Sequence, residues 1–99
     1  MISFQLFITA QAEAQIERIM KDRSKKGLQT QLRKSLRLLS QNPKHSGLRS
    51  HPLQGSQGVY GEKLWTSYIQ NNTPQAYRML WYYGPSDKQI TLLAVIPHY

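Results

Sequence analysis

The chain has 99 residues, with 13 Lys and Arg against 5 Asp and Glu, a formal charge of +8, and no cysteine. These values predict one domain, residues 1–99, with a thin core. They exclude disulfides and thiolate metal sites and point to a polyanionic partner, either nucleic acid or an acidic protein.

Residues 2–8 (ISFQLFI) form a short strand candidate. Thr9 then has the chemistry of a helix N-cap, with Glu13 in the first turn. Ala12, Ile16, Ile19 and Met20 recur at helical spacing, and Gly27 is the expected C-terminal break. A second helix is predicted over 28–41, with Leu28, Leu32, Leu36 and Leu39 on one stripe and Pro43 as its stop. A short polar link makes the two an antiparallel hairpin. Nine of the thirteen basic residues fall between Lys21 and Arg49, with Asp22 the only acid among them. Such a run is often just a solvated face, but its single sign favours a binding surface.

Residues 42–58 read as loop, rich in Gly and Ser and carrying His45, Arg49 and His51. A strand follows near 60–70, and the NNTP segment, 71–74, turns the chain. Residues 75–99 are two apolar strands joined by Gly84, Pro85, Ser86 and Asp87. The expected fold is α+β in two layers: an N-terminal strand, the helical hairpin, then a three-stranded antiparallel meander. With the first strand in the same sheet, the helices would cover one face and leave the other open. No run reaches the roughly 18 apolar residues of a membrane span. The N-terminus lacks the pattern of a signal peptide, so a cytoplasmic protein with no membrane partner is expected.

No nucleotide-binding loop is present, so no cofactor is expected. His45, His51 and His98 have no cysteine partners and no shared helical spacing, so no metal is expected either. Acid–base cleavage of a phosphodiester fits what remains. It needs a proton acceptor for a 2′-hydroxyl, a proton donor for the leaving 5′-oxygen, and donors for the charge on phosphate. Histidine can fill either proton role, and the arginine fork matches phosphate. Arg78, His98, Arg49, Lys63 and Tyr99 are the parts available. Read without chemistry, Arg78 is half of an ion pair, His98 a terminal residue and Tyr99 a hydrophobic plug. The residues alone leave the two readings even.

The basic helical hairpin ending in Asn42-Pro43, the LxxxxLxG stretch from Leu48 through Leu53 to Gly55, and the strand Tyr77, Arg78, Met79, Leu80, Trp81, Tyr82 occur in one order. In that order the chain resembles the RelE/ParE superfamily of toxins from type II toxin–antitoxin modules. Its end, Ile96-Pro97-His98-Tyr99, is similar to the YoeB branch, whose chains also close on His-Tyr. The resemblance implies a toxin that enters the ribosome and cuts mRNA, held inactive by a cognate antitoxin. It implies catalytic roles for Arg78 (phosphate stabilisation), His98 (proton transfer) and Tyr99. Lys63 lies where the RelE branch places basic residues, and the one-sided charge adds Arg49, His51, Lys25, Lys26, Arg33, Lys34 and Arg37 as RNA-binding candidates. YoeB-like chains carry a glutamate before the leucine of the LxxxxLxG stretch. Here Ser46 and Gly47 stand before Leu48, so the base role passes to Glu62 or His51. Two alternatives are a ParE-like toxin that poisons gyrase without chemistry of its own, and a non-catalytic relative that only binds antitoxin or RNA.

Overall fold

The computed structural model describes residues 3–70 and 76–97. Its elements in order are β1 (Gln5–Ile8), α1 (Ala10–Lys21), a 3-10 turn (Arg23–Lys25), α2 (Lys26–Gln41), a second 3-10 turn (Ser46–Leu48), β2 (His51–Gln57), β3 (Lys63–Tyr68), β4 (Tyr77–Tyr83) and β5 (Gln89–Pro97). The strands form one sheet ordered β1-β5-β4-β3-β2. β3, β4 and β5 make the expected antiparallel meander, and β1 joins its far edge parallel to β5. The architecture is α+β, as the sequence implies.

The helices end differently from the expectation. Gly27 does not break α1; it lies in the first turn of α2. The stop is Asp22, whose Oδ1 accepts the Ser24 N–H at 3.0 Å and the Ser24 hydroxyl at 2.6 Å. A side chain that bonds its own backbone two residues on turns the chain more firmly than a flexible glycine does. The last carbonyls of α1 are also met from α2, where the Gln29 amide donates to Ile19 O at 3.0 Å and Asp22 O at 2.8 Å.

Thr9 is the N-cap of α1, as its position predicts: its Oγ1 accepts the Ala12 N–H at 3.2 Å. The same hydroxyl donates to the Leu93 carbonyl at 3.1 Å. Leu93 is the extra residue of a bulge in β5, because Leu80 pairs with Ala94 while Trp81 pairs with Leu92. One side chain therefore fixes the start of α1 against the irregular point of the strand it covers.

The 42–58 segment is not all loop. It contains β2, an edge strand paired with β3. HPLQGSQ has no apolar alternation because most of it faces solvent. Pro52 is tolerated on an edge, and the register shifts between Pro52 and Gln57, around Gly55 at φ +79°.

The core lies between the helices and one face of the sheet. Leu28, Leu32 and Leu39 of α2 and Ala12 and Ile19 of α1 meet Met79, Trp81, Ile90, Leu92 and Val95. Trp81 is fully buried. Its indole N–H donates to Ser67 Oγ at 2.7 Å. Ser50 Oγ lies 2.6 Å from Ser67 Oγ and 2.7 Å from the Pro43 carbonyl. A carbonyl only accepts, so the single Ser50 proton goes to Pro43 and the Ser67 proton to Ser50. A one-way relay results, running from Trp81 through Ser67 and Ser50 to Pro43. Among the described residues no helix is long and apolar enough to cross a membrane.

Ser67→Ala strands the Trp81 N–H in the core and should cost about 1–3 kcal/mol in urea unfolding. The loss should shrink clearly in a Trp81→Phe background, where no N–H remains, and an unchanged loss there would refute the relay. Asp22 is held below its ordinary carboxyl value, 3.8, first by the Ser24 hydroxyl and then by the Ser24 N–H. A depressed folded-state value stabilises above the unfolded value and stops doing so as pH falls through the folded one. Wild type should therefore exceed Asp22→Asn in stability at pH 7, with the gap closing in strong acid, as thermal melts across pH would show.

Candidate functional site

Alternation along β3 and β4 divides their side chains between two faces. Met79 and Trp81 point into the helical core, so Arg78 and Leu80 point to the open face. Tyr68 stands directly opposite Arg78 on β3, and Ile96 opposite it on β5. His51 pairs with Thr66 and shares that face. A cavity of about 250 Å³ opens there, lined by Leu53, Thr66, Arg78, Met79, Leu80, Ile96 and Pro97.

The Arg78 guanidinium lies over the Tyr68 ring, 4.0 Å from its centroid. Arg49 approaches the same ring at 5.7 Å. Each contact is a cation–π attraction that fixes a guanidinium without neutralising it. Arg78 Nε is buried and has no hydrogen-bond partner among the described residues. The five carboxylates are elsewhere: Glu13 and Glu17 on α1, Asp22 at its end, Glu62 and Asp87 in turns. Two permanent positive charges thus share one aromatic ring, with no side-chain carboxylate beside them among the described residues, an arrangement suited to an anion.

Arg49 reaches Tyr68 through a left-handed backbone, φ +49° and ψ +43°, at the end of the second 3-10 turn. That conformation is uncommon for a residue with a Cβ. His51 follows two residues later, its ring centroid 6.3 Å from that of Tyr68. His51 Nδ1 is 3.0 Å from the Arg49 carbonyl. A carbonyl can only accept, so Nδ1 carries a hydrogen, which leaves Nε2 as the ring nitrogen open to proton transfer. Arg78, which lines the cavity, thus shares the Tyr68 ring with Arg49 and His51, which stand beside the cavity and not in its lining.

Other expected site residues are not brought here. Glu62 is tied into the β2–β3 turn, where its Oε1 accepts the Tyr60 N–H at 2.8 Å. It precedes Tyr68 by six residues, about 20 Å along an extended strand, so the structure does not make it the base for Arg78. Lys63, two residues before Trp65, shares its helical side, with Nζ 5.4 Å from that ring. Lys25 lies over the Tyr77 ring at 5.9 Å, also on the helical side. Lys26, Arg33, Lys34 and Arg37 are exposed on α2, a layer away from Arg78. His98 and Tyr99 lie outside the described residues. His45 accepts the Gly47 N–H through Nδ1 at 2.9 Å and serves the turn. No group of three or more metal-binding side chains gathers among the described residues.

Tyr68 is the site residue that sequence reasoning missed. Alternation in KLWTSY puts Leu64, Thr66 and Tyr68 on one face, but only the register with β4 reveals that Arg78 is opposite.

No protein-family model and no curated protein matches the sequence. Solved structures do match. A YoeB/ParE toxin from Agrobacterium tumefaciens superposes with a TM-score of 0.70 at 14% identity, covering 97% of this chain and 100% of that one. The RelE of an archaeal RelE–RelB complex from Pyrococcus horikoshii gives 0.65 at 15% identity, over 97% and 96%. YafQ from E. coli gives 0.64 at 14% identity, over 96% and 93%. At these identities it is the path of the chain that is shared: this protein has the RelE/YoeB fold, over nearly its whole length.

Proposed function

We propose that the protein is the toxin of a toxin–antitoxin pair and acts as a ribosome-dependent mRNA endonuclease through the open sheet face. The observation that carries the reading is the Arg78 guanidinium held on the Tyr68 ring, with Arg49 and His51 gathered at the same ring. In this reading the scissile phosphate sits against Arg78 and Arg49, which offset the charge that builds on its oxygens. His51 Nε2 takes the proton of the neighbouring 2′-hydroxyl. The 2′-oxygen bonds to phosphorus, the bond from phosphorus to the 5′-oxygen breaks, and a 2′,3′-cyclic phosphate forms. The leaving 5′-oxygen takes a proton from His98, two residues beyond Ile96 in sequence. Tyr99 stays in the proposal as the terminal site residue. His51 thus takes the place of the glutamate that the YoeB-like pattern has and this chain lacks. The exposed cations of α2 would hold ribosomal RNA, and an acidic antitoxin would neutralise the toxin by covering its basic surfaces.

The test is primer extension on cellular mRNA after brief induction, beside growth. Arg78→Ala should lower cleavage at least about 100-fold, the loss typical of removing one charge-stabilising donor. Arg78→Lys should not restore it, because an ammonium lacks the planar fork. His51→Ala should be similarly impaired, while Glu62→Gln should cut normally. Growth arrest by Arg78→Ala with intact mRNA would overturn the reading in favour of a non-catalytic, gyrase-directed toxin. Absence of arrest by the wild type would favour a binding-only relative.

A further inference from the structure

A second cleft, of about 690 Å³, opens between the end of α2 and the β4–β5 turn. Its walls include Phe4, Trp65, Tyr83, Asn42, Lys44 and Lys88. The aromatic part is continuous. Phe4 and Tyr83 have centroids 6.0 Å apart, and Tyr83 meets Trp65 edge-on at 5.8 Å and 84°. Trp65 in turn stacks on buried Trp81 at 5.7 Å and 17°. Phe4 and Trp65 are only half-buried and Tyr83 is 37% exposed, so the core leaves aromatic surface uncovered here. Burial pushes the Tyr83 hydroxyl above its ordinary range, which keeps it a neutral donor. Lys44 and Lys88 are exposed at the rim, and Lys63 Nζ lies 5.4 Å from the Trp65 centroid. Asp87 is the one carboxylate among the lining residues.

We infer that this cleft is a stacking pocket for an unpaired nucleotide of single-stranded RNA. Apolar rings suit a flat base, and lysines at the rim suit the phosphates on either side of it. The Asn42 Oδ1 accepts the Lys44 N–H at 3.1 Å, which leaves the Asn42 amide free to donate to a base edge. An acidic peptide would satisfy the lysines but bring a flat ring only where an aromatic residue follows its acids. A nucleotide carries ring and charge in one unit. The pocket is separate from the Arg78 hollow. Tyr83 stands five residues further along β4, about 17 Å away, and on the opposite face of the sheet. The inference goes beyond cleavage and stands whether or not Arg78 cuts RNA.

The experiment is a titration of the ¹⁵N-labelled full chain with 2′-O-methyl hexaadenylate, which lacks the hydroxyl needed for internal attack. The two indole N–H signals serve as reporters. Trp65 should shift with saturation. The double variant Lys44→Glu/Lys88→Glu should weaken that half-saturation point about tenfold or more, since two phosphate contacts are reversed. Arg78→Ala, which removes the other site, should leave the Trp65 half-saturation point within about twofold, since in about 0.15 M salt a charge about 17 Å away is screened over roughly 8 Å. A Trp65 signal that never moves, or one equally sensitive in the lysine variant, overturns the inference. So does a Trp65 shift produced by the peptide Glu-Glu-Tyr-Glu-Glu but not by the oligonucleotide.

Discussion

A buried indole must find an acceptor for its N–H, and much of this structure follows from how Trp81 finds one. Ser67 accepts at 2.7 Å and hands its own proton to Ser50, which hands on to the Pro43 carbonyl. Four residues from the centre of the sheet to the end of α2 are thereby joined in one direction. Ser50 lies between Arg49 and His51, so the same relay that satisfies the core also sets the segment from which those two side chains reach Tyr68. The left-handed backbone of Arg49 is held between the second 3-10 turn and the relay. Core packing and site geometry are one constraint here, not two.

The distribution of charge gives that constraint its chemical meaning. The five acids occupy α1, its end and two turns. The open sheet face is left with Arg78 and Arg49 over one ring. Cation–π contact orients a guanidinium but does not consume its charge. The buried Nε of Arg78, without a hydrogen-bond partner among the described residues, is the kind of polar group that stable cores avoid and binding sites keep. The helical cations form a different surface, turned to solvent across the sheet. The +8 charge is therefore several separate fields, one of which gathers at the Tyr68 ring beside His51.

Much was legible beforehand because it depends on neighbours in sequence. The Thr9 cap, the leucine stripe of α2, the Pro43 stop and the meander all follow from local propensity and spacing. The polar edge strand β2 was not legible, because an edge exposed on both faces carries no alternation. The end of α1 was misplaced from Asp22 to Gly27, because a side-chain turn closed by Asp22 leaves a weaker mark in sequence than a glycine. Glu62 is the one acid between Asp22 and Asp87 in the sequence, but order in the chain says nothing of a separation of about 20 Å along a strand.

By itself the sequence determined the class of fold, the strand that bears Arg78 and the excess of positive charge, since these rest on composition, periodicity and chain order. Only the tertiary structure decided which residues gather on the open face: Tyr68 against both guanidiniums, His51 at the same ring, Lys63 and Glu62 apart. The reason is register. Facing positions in a sheet are set by pairing between strands far apart in the chain, and a shift of one residue sends every side chain to the other face.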